Sequence, residues 1–449
     1  MRPSNVLALM LGFLVLPAVA DTLRLDVGRT IDIALSENPA MAATAAMLSA
    51  KEWELKAASK AWSPSLSLEG KTLYGSGNST SFFALQNTGD PVDAGAVEAS
   101  GPYASLGLLF ALPLYAQGEW INHETPQQAE AQAKLDKSRA DGGSESLELA
   151  GQVFKNYIGV LEAGEVSRIY GELIVARARM VGVTQRKVAA QTATRTDLAA
   201  LLTAQAASTS EARAAERKMR RELDQLRAYL GLQPAAEIEL DTLPELPALP
   251  GKLEDMLAEA MASHPDLRVR QAEITLAEAQ LKAVQNDSGP SLGVNATLFT
   301  ANGLQGESSN TFYNLGLVLN VPLLDSSGNA AMIGARNASL TESRQRLLAA
   351  QYDIAQKLRE AYDALLDAQD SVEAEFEKLR QSRIEEEALR KLLEKGATTL
   401  DRLVAQENLV LGNRISLIRA RYKAWTAYAD LLQATGQSRP SAEAIRAGA

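Results

Sequence analysis

The sequence predicts a mixed fold: a tandem-repeat protomer of long coiled-coil α-helices with four transmembrane β-strands. Three observations carry it. The chain is duplicated, its proline-free stretches hold heptad seams of apolar residues, and four segments of about ten residues alternate apolar with small or polar side chains.

The duplication organises everything else. "ALSENPAMAATAAMLSAKEWELKAASKAWSPSLSLEG" (34–70) lies over "AMASHPDLRVRQAEITLAEAQLKAVQNDSGPSLGVNA" (260–296) without a gap, so that Pro39 meets Pro265, Pro64 meets Pro290 and Leu66 meets Leu292, each 226 positions on. "LGLLFALPLY" (106–115) lies over "LGLVLNVPLL" (315–324) at 209, and "YIGVLEA" over "YDALLDA" at 205, pairing Tyr157 with Tyr362. One supersecondary unit is used twice. The falling offset gives repeat one about 17 extra residues between Gly70 and Leu106, rich in Gly, Ser, Asn and Thr as an exposed loop is.

Taken in order, the chain opens with Arg2, an apolar run from Val6 to Leu16 and Ala18-Val19-Ala20. That run is too short to span a membrane as a helix, and the small residues fit signal-peptidase cleavage, so 1–20 is expected to be a signal peptide and the mature chain to lie beyond the inner membrane. Repeat one is expected over 21–231, with strands at about 65–75 and 103–114 and long helices at about 126–190 and 195–230. A proline-rich linker follows at 232–250, where four prolines forbid a continuous helix. Repeat two is expected over 251–436, with strands at about 291–301 and 311–323 and helices at about 329–395 and 399–434. The tail, 437–449, has no apolar period and is expected to be poorly ordered.

The helices are read from heptads. Leu358, Tyr362, Leu365, Gln369, Val372, Phe376 and Leu379 step by four and three, as do Leu411, Ile415, Ile418, Tyr422, Trp425, Ala429 and Leu432. No proline intervenes from Asn329 to Lys395, which allows a helix of roughly 100 Å. In repeat one Pro126 suits a first helical position after Thr125. Asp141-Gly142-Gly143 is expected to bend or fray that helix.

The strands follow a period of two. Leu66 and Leu68; Leu106, Leu108, Phe110 and Leu112; Leu292, Val294 and Leu298; and Leu315, Leu317, Leu319 and Val321 share one phase, while Ser65, Gly107, Asn295, Gly316 and Asn320 fall in the other. A half-buried soluble sheet gives such alternation, and so does a barrel strand with lipid outside and water inside. Export, strand length and the absence of a second apolar sheet favour the barrel. Four strands cannot close one and open edges are not tolerated in lipid, so other subunits must supply the rest; three copies give twelve.

Composition excludes several functions. A net charge of -10 without a basic cluster argues against nucleic acid as a partner. The absence of cysteine excludes disulfides, thiolate metal sites, thiol nucleophiles and an N-terminus lipidated on cysteine. The two histidines are read as structural: His264 takes the place of Asn38 before a proline, and His123 lies beside Glu124 between strand and helix. No nucleophile, base and orienting group gather, no phosphate loop is present, and no cofactor or metal is expected.

The signal peptide, the repeats beginning near "NP" and "HP", the "PSLSL" and "PSLGV" strand starts, the "LGLLFALPLY" and "LGLVLNVPLL" strand ends and the "TATRTDL" and "GATTLDRL" hairpin tips together resemble the TolC-like outer-membrane efflux proteins. The resemblance runs from Asp21 to about Gly436. It implies a homotrimer with a 12-stranded barrel in outer-membrane lipid, joined to an α-helical periplasmic barrel. It also implies an exit duct that works passively with a periplasmic adaptor and an inner-membrane pump. The alternatives are a heavy-metal efflux or type I protein secretion duct and, in another class, an exported coiled-coil structural or adhesion protein.

By the same resemblance the helix reversals form the periplasmic entrance. The tip residues are Thr194, Arg195 and Asp197 in repeat one and Gly396, Thr398, Asp401 and Arg402 in repeat two. Thr194 to Asp197 and Thr398 to Asp401 read as Thr-x-x-Asp, and two readings stand for each: a carboxylate ring at a gate, or a helix capping box. The second carboxylate that some members carry three residues on is Val404 here, which puts a double acidic ring in doubt. Trp53, Trp62 and Trp120 are placed near the membrane or the equatorial zone.

Overall fold

The structure is a computed structural model that describes residues 23–78, 98–244, 246, 251–287, 289–303, 309–322 and 328–440. The expected signal peptide, the middle of the insertion, the end of the linker, Leu323 and most of the tail lie outside the described residues. In chain order the elements are β1 (Leu23–Leu25), α1 (Val27–Glu37), α2 (Pro39–Ala58), β2 (Ser65–Asn78), β3 (Glu98–Ala116), β4 (Glu119–Trp120), α3 (Pro126–Ala189), α4 (Arg195–Tyr229), β5 (Ile238–Leu240), α5 (Leu253–Ser263), α6 (Pro265–Asp287), β6 (Ser291–Gly303), β7 (Ser309–Asn320), α7 (Asn329–Glu394) and α8 (Leu400–Ala434). Among the described residues no helix is long and apolar enough to cross a membrane.

The compact bodies are not the two repeats. One unit holds the described parts of Met1–Ala42, Glu145–His264 and Ile354–Ala449, the other those of Ala43–Ser144 and Pro265–Asp353, so each draws on both repeats. Elements of one repeat pack on elements of the other: α3 on α8 in the first unit and β3 beside β6 in the second.

In the first unit the heptads pack as helix seams. Leu358, Leu365 and Leu379 of α7 and Ile415, Ile418, Trp425, Ala429 and Leu432 of α8 are buried. Val166 and Ile169 of α3 meet Ile415 and Ile418 of α8, with Ala215 of α4 at the edge. Phe154, Trp425 and Tyr428 stack edge to face at 6.3 and 5.7 Å. Phe376 departs from the seam and stays half exposed.

Three short strands, β1, β4 and β5, go beyond the expected elements. β1 and β5 pair in parallel, Leu23 with Ile238 and Leu25 with Leu240, so the proline-rich connection is partly a strand. Three residues are too few for periodicity to register. Tyr157 explains why they dock: its buried hydroxyl donates to the carbonyl oxygens of Asp241 at 2.5 Å and of Leu25 at 3.2 Å, and burial raises its pKa. Asn38, buried at the α1–α2 break, donates from Nδ2 to the Tyr229 carbonyl at 2.9 Å and accepts from the Ala40 N–H at 2.8 Å, which is turn chemistry.

In the second unit β2, β3, β6 and β7 form one antiparallel sheet in that order, with β4 added to β3. β3 and β4 join through Gln117 and Gly118, both at positive φ (54° and 83°), as a two-residue hairpin requires. The β2–β3 ladder extends to Asn78 and Glu98, past the expected strand ends. The turn expected to bend or fray at Gly142-Gly143 does not fray, since α3 runs unbroken through both. Gly142 answers a packing need instead: a Cβ there would stand 3.1 Å from Thr44 Cγ2 of α2. Ile274, Ala277 and Leu340 bind α6 to α7.

Candidate functional site: the sheet face and the hairpin turns

Sheet register decides which side chains share a face. Opposed residues point the same way, and rows run Leu66–Phe110–Ala296–Leu315, Leu68–Leu108–Leu298–Tyr313, Leu112–Val294–Leu317 and Trp120–Tyr115–Leu292–Leu319, with Leu106 opposite Thr300. The opposite face carries Ser65–Ala111–Asn295–Gly316 and Ser67–Leu109–Thr297–Asn314. Leucine is exposed on the first face, up to 70% at Leu66 and 74% at Leu315. Among the described residues, two unpaired edges, β2 and β7, bound the sheet.

Two expectations here need correction. Val321 is not in the sheet: β7 ends at Asn320, because Pro322 has no N–H to continue the ladder and restricts the residue before it. The strand expected to end at about 114 continues through Pro113 to Ala116. The register shifts between Pro113 and Tyr115, so Leu114 is the extra residue of a bulge and Tyr115 takes over the apolar row. Tyr115 and Trp120 close that row with ring centroids 5.0 Å apart.

The hairpin turns are built alike. After α3, Gln191 takes φ 59° and the Thr192 N–H donates to the Lys187 carbonyl at 2.8 Å; after α7, Gly396 takes φ 68° and the Ala397 N–H donates to the Leu392 carbonyl at 2.8 Å. Both are left-handed helix ends of the Schellman kind, and the two left-handed residues lie 205 positions apart. Glycine meets that φ without strain at 396, whereas Gln191 carries a Cβ there.

The helix starts differ. Thr194 is the N-cap of α4: its Oγ1 accepts from the Asp197 N–H at 3.1 Å, and Asp197 Oδ2 accepts from the Thr194 N–H at 2.9 Å and from the Thr194 hydroxyl at 2.7 Å. The hydroxyl and then the backbone bond hold the Asp197 carboxyl below its ordinary range. In repeat two the N-cap is Thr399 and not Thr398, and its side chain makes no capping bond. Thr194 therefore corresponds to Thr399, one residue beyond the Thr398 of the expected Thr-x-x-Asp pair. At the true offset Asp197 corresponds to Arg402, which cannot accept from the backbone, so no box forms. Asp401 is an exposed residue of the first turn, and the buried Thr398 Oγ1 has no partner.

A residue missed by sequence reading lies just above the turns. Arg177 of α3 is 3% exposed. Its guanidinium donates to the Ala204 carbonyl at 2.6 Å and to Ser208 Oγ, both on α4, and to Asn408 Oδ1 on α8. Burial lowers its pKa. Nearby, burial raises the Glu407 carboxyl although Arg390 stands at 3.2 Å. The available signal was an arginine in phase with Val181 and Thr184, core positions of α3.

Comparison with known proteins follows from this geometry. Residues 30–232 and 256–437 match the sequence profile of the outer membrane efflux proteins, and the chain belongs to that family. The outer membrane efflux protein BepC of Brucella suis biovar 1 (strain 1330) is 25% identical over 291 residues, which is 64% of this chain. The match spans only 62% of BepC's own length. Among solved structures, CusC superposes with a TM-score of 0.74 at 15% identity, covering 93% of this chain and 94% of CusC. VceC, an outer membrane protein of Vibrio cholerae, gives 0.72 at 16% identity, covering 92% and 96%. At these identities the structures establish a shared fold.

Proposed function

We propose that the chain is the protomer of an outer-membrane exit duct. Three copies join β7 of one sheet to β2 of the next in a 12-stranded barrel, and the long helices continue it as an α-helical wall through the periplasm. The duct is passive: it has no catalytic centre, and it conducts what an inner-membrane pump and a periplasmic adaptor deliver to it. Family membership supports the class of function. The observation that carries the reading is the sheet: one face is mainly leucine and other apolar side chains, the other is mostly small or polar with Leu109 and Val318 among them, and both edges are open among the described residues. In water such a sheet exposes leucine and unpaired backbone; in lipid, closed by copies of itself, it satisfies both faces and both edges.

Under this reading Thr194, Arg195, Asp197, Gly396, Thr398, Asp401 and Arg402 lie at the periplasmic entrance and face the adaptor. A ring of three Asp401 carboxylates is offset by the neighbouring Arg402, so cation selectivity is weak. The test is conduction: purified protein should run as a detergent-resistant trimer and give discrete ion conductance in planar bilayers. Asp401→Ala should lower cation preference only slightly. A monomer that leaves bilayers silent overturns the reading.

A further inference from the structure

In the half nearest its turn, α8 has neighbours of two kinds. Toward α3 and α4 the packing is apolar: Ile415 and Ile418 lie on Val166 and Ile169, and Val404 lies on Val181 and Leu201. Arg177 adds its bonds to Ala204, Ser208 and Asn408, and Glu172 of α3 meets Arg414 at 3.1 Å. Toward α7 the contacts are polar. Asn413 donates to the Lys378 carbonyl at 3.4 Å, Gln406 donates to the Ser382 carbonyl at 2.9 Å and to Glu385 at 3.3 Å, and Arg390 meets Glu407 at 3.2 Å. Leu379 is the last buried apolar residue of α7. Beyond it, over 380–394 or about 22 Å of helix, Leu389 and Leu393 are only half-buried.

That segment can part from α8 as one piece. At its upper end the buried Ser382 hydroxyl donates to the Leu379 carbonyl at 3.0 Å, a bond that competes with the helix ladder and favours a bend. Below the bend Arg390 pairs with Glu386 at 2.6 Å and Lys391 with Glu387 at 2.8 Å, each one turn apart, which keeps the helix formed when its neighbour is lost. Arg390–Glu407 is the one ion pair among the described residues that ties 380–394 to α8. The Glu407 side chain, 12% exposed, faces Arg390 and Glu386 of α7 and Arg177 of α3, while α4 presents the uncharged Ala204 and Ser208 beside Arg177. Glu386 and Glu407 compete for the same Arg390 nitrogen, and burial raises the Glu407 carboxyl above its ordinary range. A proton on Glu407 therefore leaves Arg390 with Glu386 and removes the tie.

We infer that the end of α7, 380–394, is a moving wall of the entrance: it swings about Leu379–Ser382 away from a fixed body of α3, α4 and α8, and the Arg390–Glu407 pair latches it until Glu407 is protonated. The inference rests on the duct proposed above, which puts the hairpin turns at the entrance. It adds which helix moves, where it bends and what releases it.

The test is ion conductance of the full chain in planar bilayers, followed from neutral to mildly acidic pH. Conductance should rise on acidification. Glu407→Gln, which cannot hold Arg390 by charge, should conduct at the raised level already at neutral pH and lose the acid response. The chain's lack of cysteine allows two tethers to be compared, each made with a short bifunctional thiol reagent. Joining Glu385→Cys to Gln406→Cys, across α7 and α8, should abolish the acid response; joining Glu172→Cys to Arg414→Cys, across α3 and α8, should leave it intact. A conducting channel whose acid response is absent, survives Glu407→Gln or survives the α7–α8 tether overturns the inference and leaves the duct standing. An acid response blocked by the α3–α8 tether also overturns it, because α8 would then move with α7. A chain that conducts in no form and at no pH overturns the duct itself.

Discussion

At the residue scale, the two hairpins show how one sequence difference removes a local motif. Thr194 and Thr399 occupy the same place, but Asp197 closes a capping box and Arg402 cannot. Thr194→Ala should therefore cost about 1 kcal/mol and Thr399→Ala much less, read by urea unfolding and by hydrogen exchange at each turn. The Asp197 carboxyl is depressed in the folded chain, so its contribution is present above its unfolded pKa of about 3.9 and is lost as pH falls through the lower folded value. Protection at the first hairpin, taken relative to the intrinsic exchange rate at each pH, should fall on acidification in that range, and the Thr194→Ala variant should not show the change. Thr-x-x-Asp was legible at both tips. Which threonine caps was not, because "TT" at 398–399 offers two registers and only the closing geometry of the preceding helix selects one.

At the scale of elements, heptads in repeat two, the match of repeat one to it and period-two alternation located the four long helices and the four long strands, because each signal extends over many residues. β1, β5 and β4 were illegible for the opposite reason: at two or three residues their existence depends on Tyr157 and on the bulge at Pro113. Gly142 of α3 looks like a weak point in one dimension and is a close approach to α2 in three, while its neighbour Gly143 has open space around it. Arg177 was hidden because a buried guanidinium needs acceptors from two other helices. Arg177→Ala should destabilise the α3–α4–α8 contact by about 1–3 kcal/mol, seen as faster exchange around 204–208 and 405–410. Methionine there should recover part of it, since the penalty of burying the charge goes too. In the sheet, Leu108→Arg or Leu317→Arg should cost about 2–4 kcal/mol near the bilayer midplane, while Asn295→Arg on the opposite face should be tolerated. Equal loss of trimer in all three would contradict the assigned faces.

At the scale of the whole molecule, the proposed duct gives the duplication its meaning: in that reading the chain assembles with copies of itself. Two hairpins give four strands and two open edges, and no arrangement of a single copy removes those edges from lipid. The central claim is that the leucine face meets lipid and the polar face meets water, and the cysteine-free chain allows it to be tested residue by residue. Single cysteines placed in turn from 106 to 111 in outer-membrane vesicles should alternate. Those at Leu106, Leu108 and Phe110 should react only with a membrane-partitioning maleimide, and those at Gly107, Leu109 and Ala111 should react with a small aqueous thiosulfonate. Uniform reaction with the aqueous reagent, or the reverse phase, would contradict the account.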